Sequence, residues 1–258
     1  MLLLIWNTIL IFPIANVLVF LYHLLGGSLG LAIIALTVVI KIVTLPLSLP
    51  SLKAAKKQRD LAPKLAEIKA RFKDDKKAQM AAQAKFLKEN GLNPGAGCLL
   101  QILTIVILIA LYNVLSVMLG LNQGVKLNDI LYEGLKFSGN AVLNFNFLYL
   151  NLGKPDPYLV LPILAAVFQF LLSKMMLPTV SKEEKLARKT PGKSDDFMYN
   201  MQEQSLYLMP VMTILIGWKL ASGLVLYWLL SSFLQLLQQL LMDGHIARWS
   251  KHVVKYVK

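Results

Sequence analysis

Residues 29–49 read LGLAIIALTVVIKIVTLPLSL, a membrane-length apolar run with one charge, Lys41, just past its centre. About 20 apolar residues cross a bilayer as a helix, and a charge held at that depth costs roughly 2.5–3.5 kcal/mol. Such a lysine either faces water and polar partners or snorkels to the nearer interface. Helical spacing favours the first. Thr37, Lys41, Thr44 and Ser48 fall at i, i+4, i+7 and i+11, which is one face of one helix. Snorkelling has no use for aligned hydroxyls, whereas a wet intramembrane cavity does. The segment therefore reads as a membrane span that carries a polar stripe along a cavity.

The rest of the chain repeats the pattern. Its 258 residues are 56% hydrophobic with a mean hydropathy of +0.58, well outside the usual soluble composition. Residues 97–119 carry no charge, residues 158–177 carry only Lys174, and residues 206–220 and 223–242 form a closely spaced pair. With 29–49 these make five expected spans. The fold class is all-α, a polytopic membrane protein whose polar stretches are too short for a separate large domain.

The net charge of +13 invites a nucleic-acid reading, but its distribution points to a membrane. Residues 50–95 hold twelve Lys or Arg, residues 178–204 five and residues 243–258 four, whereas residues 120–156 hold three and the final hairpin only Lys219. Alternate connections thus carry nearly all the basic residues, as cytoplasmic segments of polytopic membrane proteins do. That places 50–95, the loop 178–204 and the basic tail 243–258 in the cytoplasm, and the loop 120–157 and the turn at 218–222 outside. Cys98 is the single cysteine, so no intrachain disulfide forms. His23, His245 and His252 lack metal-ligand spacing. No cleavable leader is read at the N-terminus.

Residues 1–28 admit two readings. Residues 2–25 are apolar enough to span, but Asn7, Pro13 and Asn16 interrupt them and no basic residue flanks them. With Trp6 and Tyr22 as anchors, an extracytoplasmic interfacial helix and turn is the favoured reading. Residues 50–95 read as two antiparallel amphipathic helices. Leu61, Leu65, Ile68 and Phe72 mark one apolar face, Met80, Ala84 and Leu87 the other, and the charged stretch 73–77 is the turn. Pro63 belongs near the start of the first helix. This hairpin either only enforces topology or docks anionic lipid, ribosomal RNA or a targeting factor. Charge does not separate these.

Polar residues recur inside the other spans: Gln101 and Thr104, then Gln169 and Ser173, then Ser231, Ser232, Gln235, Gln238 and Gln239. Buried amides need partners. The expectation is one groove lined by Thr37, Lys41, Thr44, Gln101, Gln169, Ser231 and Gln235. It opens to the cytoplasm and is closed outside by apolar packing around Trp228. The spans hold no Asp or Glu to relay protons, which argues against an ion-coupled pump. No nucleophile–base set, metal cluster or phosphate loop is present, so neither an enzyme nor a cofactor is expected.

Several segments in order then resemble the YidC-type membrane protein insertase family: VIKIVTLPL with Lys41 and Pro46, a charged hairpin ending in NPGAGC at 93–98, and PDPY at 155–158 leading into LPIL. They continue with YLMPVM at 207–212, ASGLVLYW at 221–228 and the pair Gln238 and Gln239. The resemblance covers residues 5–242. It implies a five-transmembrane-helix core with a cytoplasmic helical hairpin, a basic residue in a cytoplasm-facing hydrophilic groove, and residence in a bacterial cell membrane. It implies insertion and folding of nascent membrane protein clients among membrane lipids, alone or with the Sec translocon, with the ribosome as a further candidate partner. The family's groove residue is usually arginine; here Lys41 keeps the charge without the planar fork. A large extracytoplasmic domain is absent, so the likeness is to the compact form. The rival readings are a small-solute or anion transporter or channel built on Lys41, and a scaffold that merely binds helices.

Overall fold

The computed structural model describes residues 2–72, 75–91, 96–121, 125–137, 143–176 and 197–242, less the side chains of some helical positions, among them 96–101 and 197–205. The expected tail 243–258 and most of the loop 178–204 lie outside the described residues. The chain opens with α1 (Leu2–Trp6), a π-helical turn (Asn7–Ile11) and α2 (Phe12–Leu24). Next come α3 (Leu29–Asp60), α4 (Ala62–Arg71), α5 (Lys76–Glu89) and α6 (Ala96–Met118). A two-residue hairpin pair, β1 (Asn146–Phe147) and β2 (Leu150–Asn151), precedes α7 (Val160–Met176), α8 (Phe197–Gly217) and α9 (Ser222–Met242). This is the expected all-α membrane architecture. Leu4–Leu24, Leu29–Ala54 and Ser222–Met242 are each long and apolar enough to cross a bilayer, and Ile102–Met118, Val160–Met175 and Leu206–Gly217 are shorter apolar helices.

α9 is the hub. It packs on α7, α3 and α6, while α8 packs on α7 and α2 packs on α3 and α6. The buried core lies at one end of this bundle, the end where α3, α7 and α9 start and α6 finishes. Leu29, Ala32, Ile33 and Leu36 of α3 meet Ala110, Leu111, Val114 and Leu115 of α6, Leu224, Val225 and Tyr227 of α9, and Ala15, Leu18 and Val19 of α2. We call this the loop end, and the opposite end, with α4 and α5, the hairpin end.

Backbone pairing seals the loop end. The first amides of α9 lack partners within their own helix. Ser222 N donates to Lys154 O at 2.7 Å and Gly223 N to Leu152 O at 3.0 Å, while Ser222 Oγ donates to Asn151 O at 2.8 Å. Beside this, a Cβ added to Gly30 would fall inside the Phe147 ring, so α3 lacks a side chain where the hairpin lies against it. Gly30→Ala is expected to lower stability by about 1–3 kcal/mol through overpacking. Phe147→Leu in the same chain should recover part of that loss, as coupled neighbours do. Thermal unfolding of the two variants in detergent measures both effects.

Two boundaries differ from expectation. α3 continues past residue 49 to Asp60, through Pro46 and Pro50. Each proline removes a helical donor and strains the carbonyl four residues before it. Both are exposed on the outer face, while the inner face is held by α9: Gln238 Nε2 donates to Ser48 Oγ at 2.9 Å and Lys56 Nζ to Met242 O at 3.1 Å. Tertiary contact thus carries the helix through positions that local rules would end. α8, expected over 206–220, begins at Phe197 and stops at Gly217. The hairpin forms with Pro63 in the first turn of α4 and with Asp75 capping α5 through Ala78 N. It is also tied to the spans, because Lys57 Nζ on α3 donates to Asn90 O at 2.6 Å.

The sequence interruptions near the N-terminus acquire roles here. Pro13 cannot pair with Ile9 O, and the turn before it widens so that Phe12 N donates to Asn7 O. Asn16 is buried and reaches the long loop: its Nδ2 donates to Ile130 O at 3.0 Å, and its Oδ1 accepts from Tyr132 N at 2.6 Å. Tyr22 OH accepts from Asn144 N at 3.1 Å.

Candidate functional site

Where the loop-end core stops, a small recess begins between α3, α6 and α9. From α3 it takes Ile40, Lys41, Thr44 and Ser48; from α6, Leu103, Thr104 and Ile107; from α9, Tyr227, Ser231, Gln235 and Gln238. Each set follows helical periodicity, so one face of each helix turns inward. Ile107 and Tyr227, both buried core residues, mark the side toward the loop end. Ser48 and Gln238 bond across α3 and α9 at the other extreme. At 1.5 Å per residue, Lys41 stands about 18 Å along α3 from Leu29 and about 10 Å from Ser48. It sits well inside the apolar stretch.

The recess sets several polar side chains among apolar ones, and none of its lining residues is acidic. The Thr44 hydroxyl donates to Ile40 O at 2.8 Å and that of Ser48 to Leu45 O at 3.0 Å. These bonds within the helix satisfy both donors; Ser48 Oγ then accepts from Gln238 Nε2, and the Thr44 oxygen keeps acceptor capacity beside the recess. The ion pairs among the described residues are Lys85–Glu89 and Lys136–Glu133, both remote from the site. Lys41 therefore presents its charge to the recess with no carboxylate beside it among the described residues. A half-buried, uncompensated ammonium attracts anions more strongly than one in bulk water, because the surrounding dielectric is lower.

Of the residues expected to line one groove, Lys41, Thr44, Ser231 and Gln235 meet in this recess. Thr37 does not line it. It lies fully buried in the loop-end core, where its hydroxyl donates to Ile33 O at 2.7 Å. Gln169 is elsewhere too, between α7 and α8, with its Oε1 accepting from Thr213 Oγ1 at 2.7 Å. Trp228 is half-buried and off the recess, because one residue is 100° of helix and its neighbour Tyr227 takes the inward position. The backbone of Gln101 belongs to α6, but its side chain lies outside the described residues. Residues 93–95 of NPGAGC also lie outside them. Sequence reasoning passed over Tyr227 as a lining residue. The signal was available: Tyr227, Ser231, Gln235 and Gln238 stand at i, i+4, i+8 and i+11.

Comparison with known proteins places this architecture among relatives. Residues 20–248 match the family model described as 60Kd inner membrane protein. The chain is 33% identical over 214 residues to a membrane protein insertase YidC of Fusobacterium nucleatum, covering 83% of this chain and 85% of that one. It is 33% identical over 244 residues to that of Enterococcus faecalis, covering 93% and 75%. It is 26% identical over 244 residues to the membrane protein insertase MisCA of Bacillus subtilis, covering 93% and 79%.

Proposed function

Because the chain belongs to the 60Kd inner membrane protein family, whose curated relatives carry the name membrane protein insertase, we propose that it inserts nascent membrane proteins through the recess around Lys41. It is a bacterial membrane protein, and its activity is that of an insertase. The polar flank of a client enters between α3, α6 and α9 and keeps part of its hydration there. Acidic residues in that flank pair with the Lys41 ammonium. The client's apolar segment leaves along α7 and α9 into lipid, and its burial drives the step at ~25 cal/mol per Å². The work is transfer, with no bond made or broken in the client. The observation that carries this reading is an intramembrane lysine in a three-helix recess, with no counter-charge among the described residues.

The proposed topology follows the basic residues. The hairpin α4–α5 lies in the cytoplasm, as does the C-terminus. Five helices cross: the apolar part of α3, then α6, α7, α8 and α9. The N-terminal helix lies along the outer surface, although its length and composition would also allow a span. Its hydrogen bonds to Ile130, Tyr132 and Asn144 support the surface position, because a loop on the outer side covers it at two heights. Clients reach the site alone or beside the Sec translocon, and the basic hairpin offers a surface for the ribosome or for anionic lipid.

The purified chain in liposomes tests the activity. A client with a short acidic leading segment should become protease-protected above the level of protein-free vesicles. Equal protection in both would defeat the reading, and chloride flux through the protein would favour the channel instead. Lys77→Cys in a Cys98→Ser background should label only from the cytoplasmic side of intact cells; labelling from outside overturns the topology.

A further inference from the structure

Two residues other than glycine adopt left-handed backbone among the described residues, Leu148 at φ 54° and Leu159 at φ 58°. A leucine in that region is strained, and such strain persists where the surroundings enforce it. Both stand in one small cluster. Leu148 precedes Tyr149 at the tip of the β1–β2 hairpin, and Leu159 follows Tyr158 at the start of α7. The tyrosine rings lie side by side, 5.7 Å apart between centroids. Asp156, 2% exposed, locks the arrangement: its carboxylate accepts from Tyr149 OH at 3.3 Å, Tyr158 N at 3.0 Å and Leu161 N at 2.8 Å. A buried carboxylate at a helix start is well placed for this work.

The lock holds apolar surface outward. Leu148 is 85% exposed, Tyr158 72% and Tyr149 46%. Among the described residues nothing covers them, and a strained leucine held in water gains nothing. We propose that this tip is a lipid anchor: Leu148 enters the outer bilayer interface, with the two tyrosines beside it at headgroup level. Three features favour lipid over a protein partner. The exposed face of α7 continues below the tip as Val160, Ile163, Leu164 and Val167, a stripe suited to lipid. Trp218 is exposed at the end of α8, which reaches the same end of the bundle where Gly217 meets Pro162. Tyrosine and tryptophan at such helix ends mark the membrane–water boundary. Lys154, two residues before Asp156, and Lys219, three before Ser222 whose amide donates to Lys154 O, are exposed at the same end of the bundle and suited to lipid phosphates. Because the same hairpin carries Phe147 against Gly30 and leads into the carbonyls that cap α9, the anchor ties the loop-end seal to the membrane surface.

The inference rests on the membrane reading but not on insertase activity, and its test reads position alone. The full chain is prepared as Leu148→Cys in the Cys98→Ser background, labelled with an environment-sensitive dye and reconstituted in phosphatidylethanolamine–phosphatidylglycerol vesicles. The expected result is blue-shifted emission, quenching by a lipid with a nitroxide high on its acyl chain, and loss of quenching by aqueous iodide. Glu133→Cys, on the same loop, serves as the aqueous reference and should be quenched by iodide. The same label at Tyr158→Cys keeps the test decisive where the variant at 148 does not fold. Labels at 148 and 158 that match the aqueous reference overturn the proposal. So does protection from iodide that needs added membrane protein extract and is absent in lipid alone, since that outcome assigns the tip to a protein partner. Either failure leaves client insertion, measured separately, untouched.

Discussion

Lys41→Glu is expected to reduce insertion of clients with acidic leading segments severalfold or more while leaving the protein folded, and Lys41→Arg is expected to keep it. The reasoning is electrostatic. At an effective dielectric of 20, two unit charges 4 Å apart interact by about 4 kcal/mol. A wet recess and a transient partner reduce this to about 1–2 kcal/mol, which corresponds to roughly a 5- to 30-fold change in an equilibrium. Reversal replaces attraction by repulsion, so the loss should exceed that of Lys41→Ala. The fold should survive because among the described residues no carboxylate pairs with Lys41 and the buried core lies at the loop end. Protease protection of clients with acidic, neutral and basic leading segments checks it. Equal insertion of the acidic client by Lys41→Glu and the parent would remove the charge from the mechanism. An equal loss for all three clients would assign Lys41 to hydration of the recess instead.

The second large effect is on stability. Asn16→Leu is expected to cost about 2–4 kcal/mol, because it leaves Ile130 O and Tyr132 N unpaired and each unsatisfied buried group costs about 1–3 kcal/mol. The new side chain has similar bulk, so the loss is polar and not a cavity. Amide exchange at Tyr132 should accelerate by orders of magnitude while amides in the middle of α9 keep their protection, since openings of this kind are local. Uniform acceleration through the bundle would mean that Asn16 supports the whole fold and not the loop alone. A smaller effect is expected at alkaline pH. Partial burial and the adjacent Asp156 carboxylate push the Tyr149 phenol above its ordinary value of 10. A group whose folded value is raised contributes fully below the unfolded value and loses its contribution as pH rises through the folded one. The hairpin tip should therefore hold at pH 9 and loosen above pH 10, followed by tyrosinate absorbance in the parent against Tyr149→Phe.

What the sequence determined by itself is local and periodic. A run of apolar residues long enough for a bilayer requires a helix, since unpaired backbone is not tolerated in hydrocarbon. Hence α3, α6, α7 and α9 stand close to where composition puts them. Period 3.6 also puts Lys41, Thr44 and Ser48 on one side of α3, and Ser231, Gln235 and Gln238 on one side of α9, whatever the helices pack against. The family likeness rests on such ordered segments, and the match over residues 20–248 agrees with it.

What only the tertiary structure decided is which helix faces which, and where polar faces stop being polar surroundings. Thr37 shares the face of Lys41, yet it lies in the core because α2, α6 and α9 close over that turn of α3. Gln169 has the same chemistry as Gln235, but α7 turns it toward Thr213 of α8. Pro46 and Pro50 carry an ordinary stop signal, which α9 overrides by holding Ser48 and Lys56. Asn16 looks like a flaw in an apolar helix until a loop more than 100 residues later supplies its partners. The physical reason is common to all four. Periodicity fixes the angle of a side chain about its own helix, whereas burial and hydrogen-bond partners depend on contacts with segments distant in the chain.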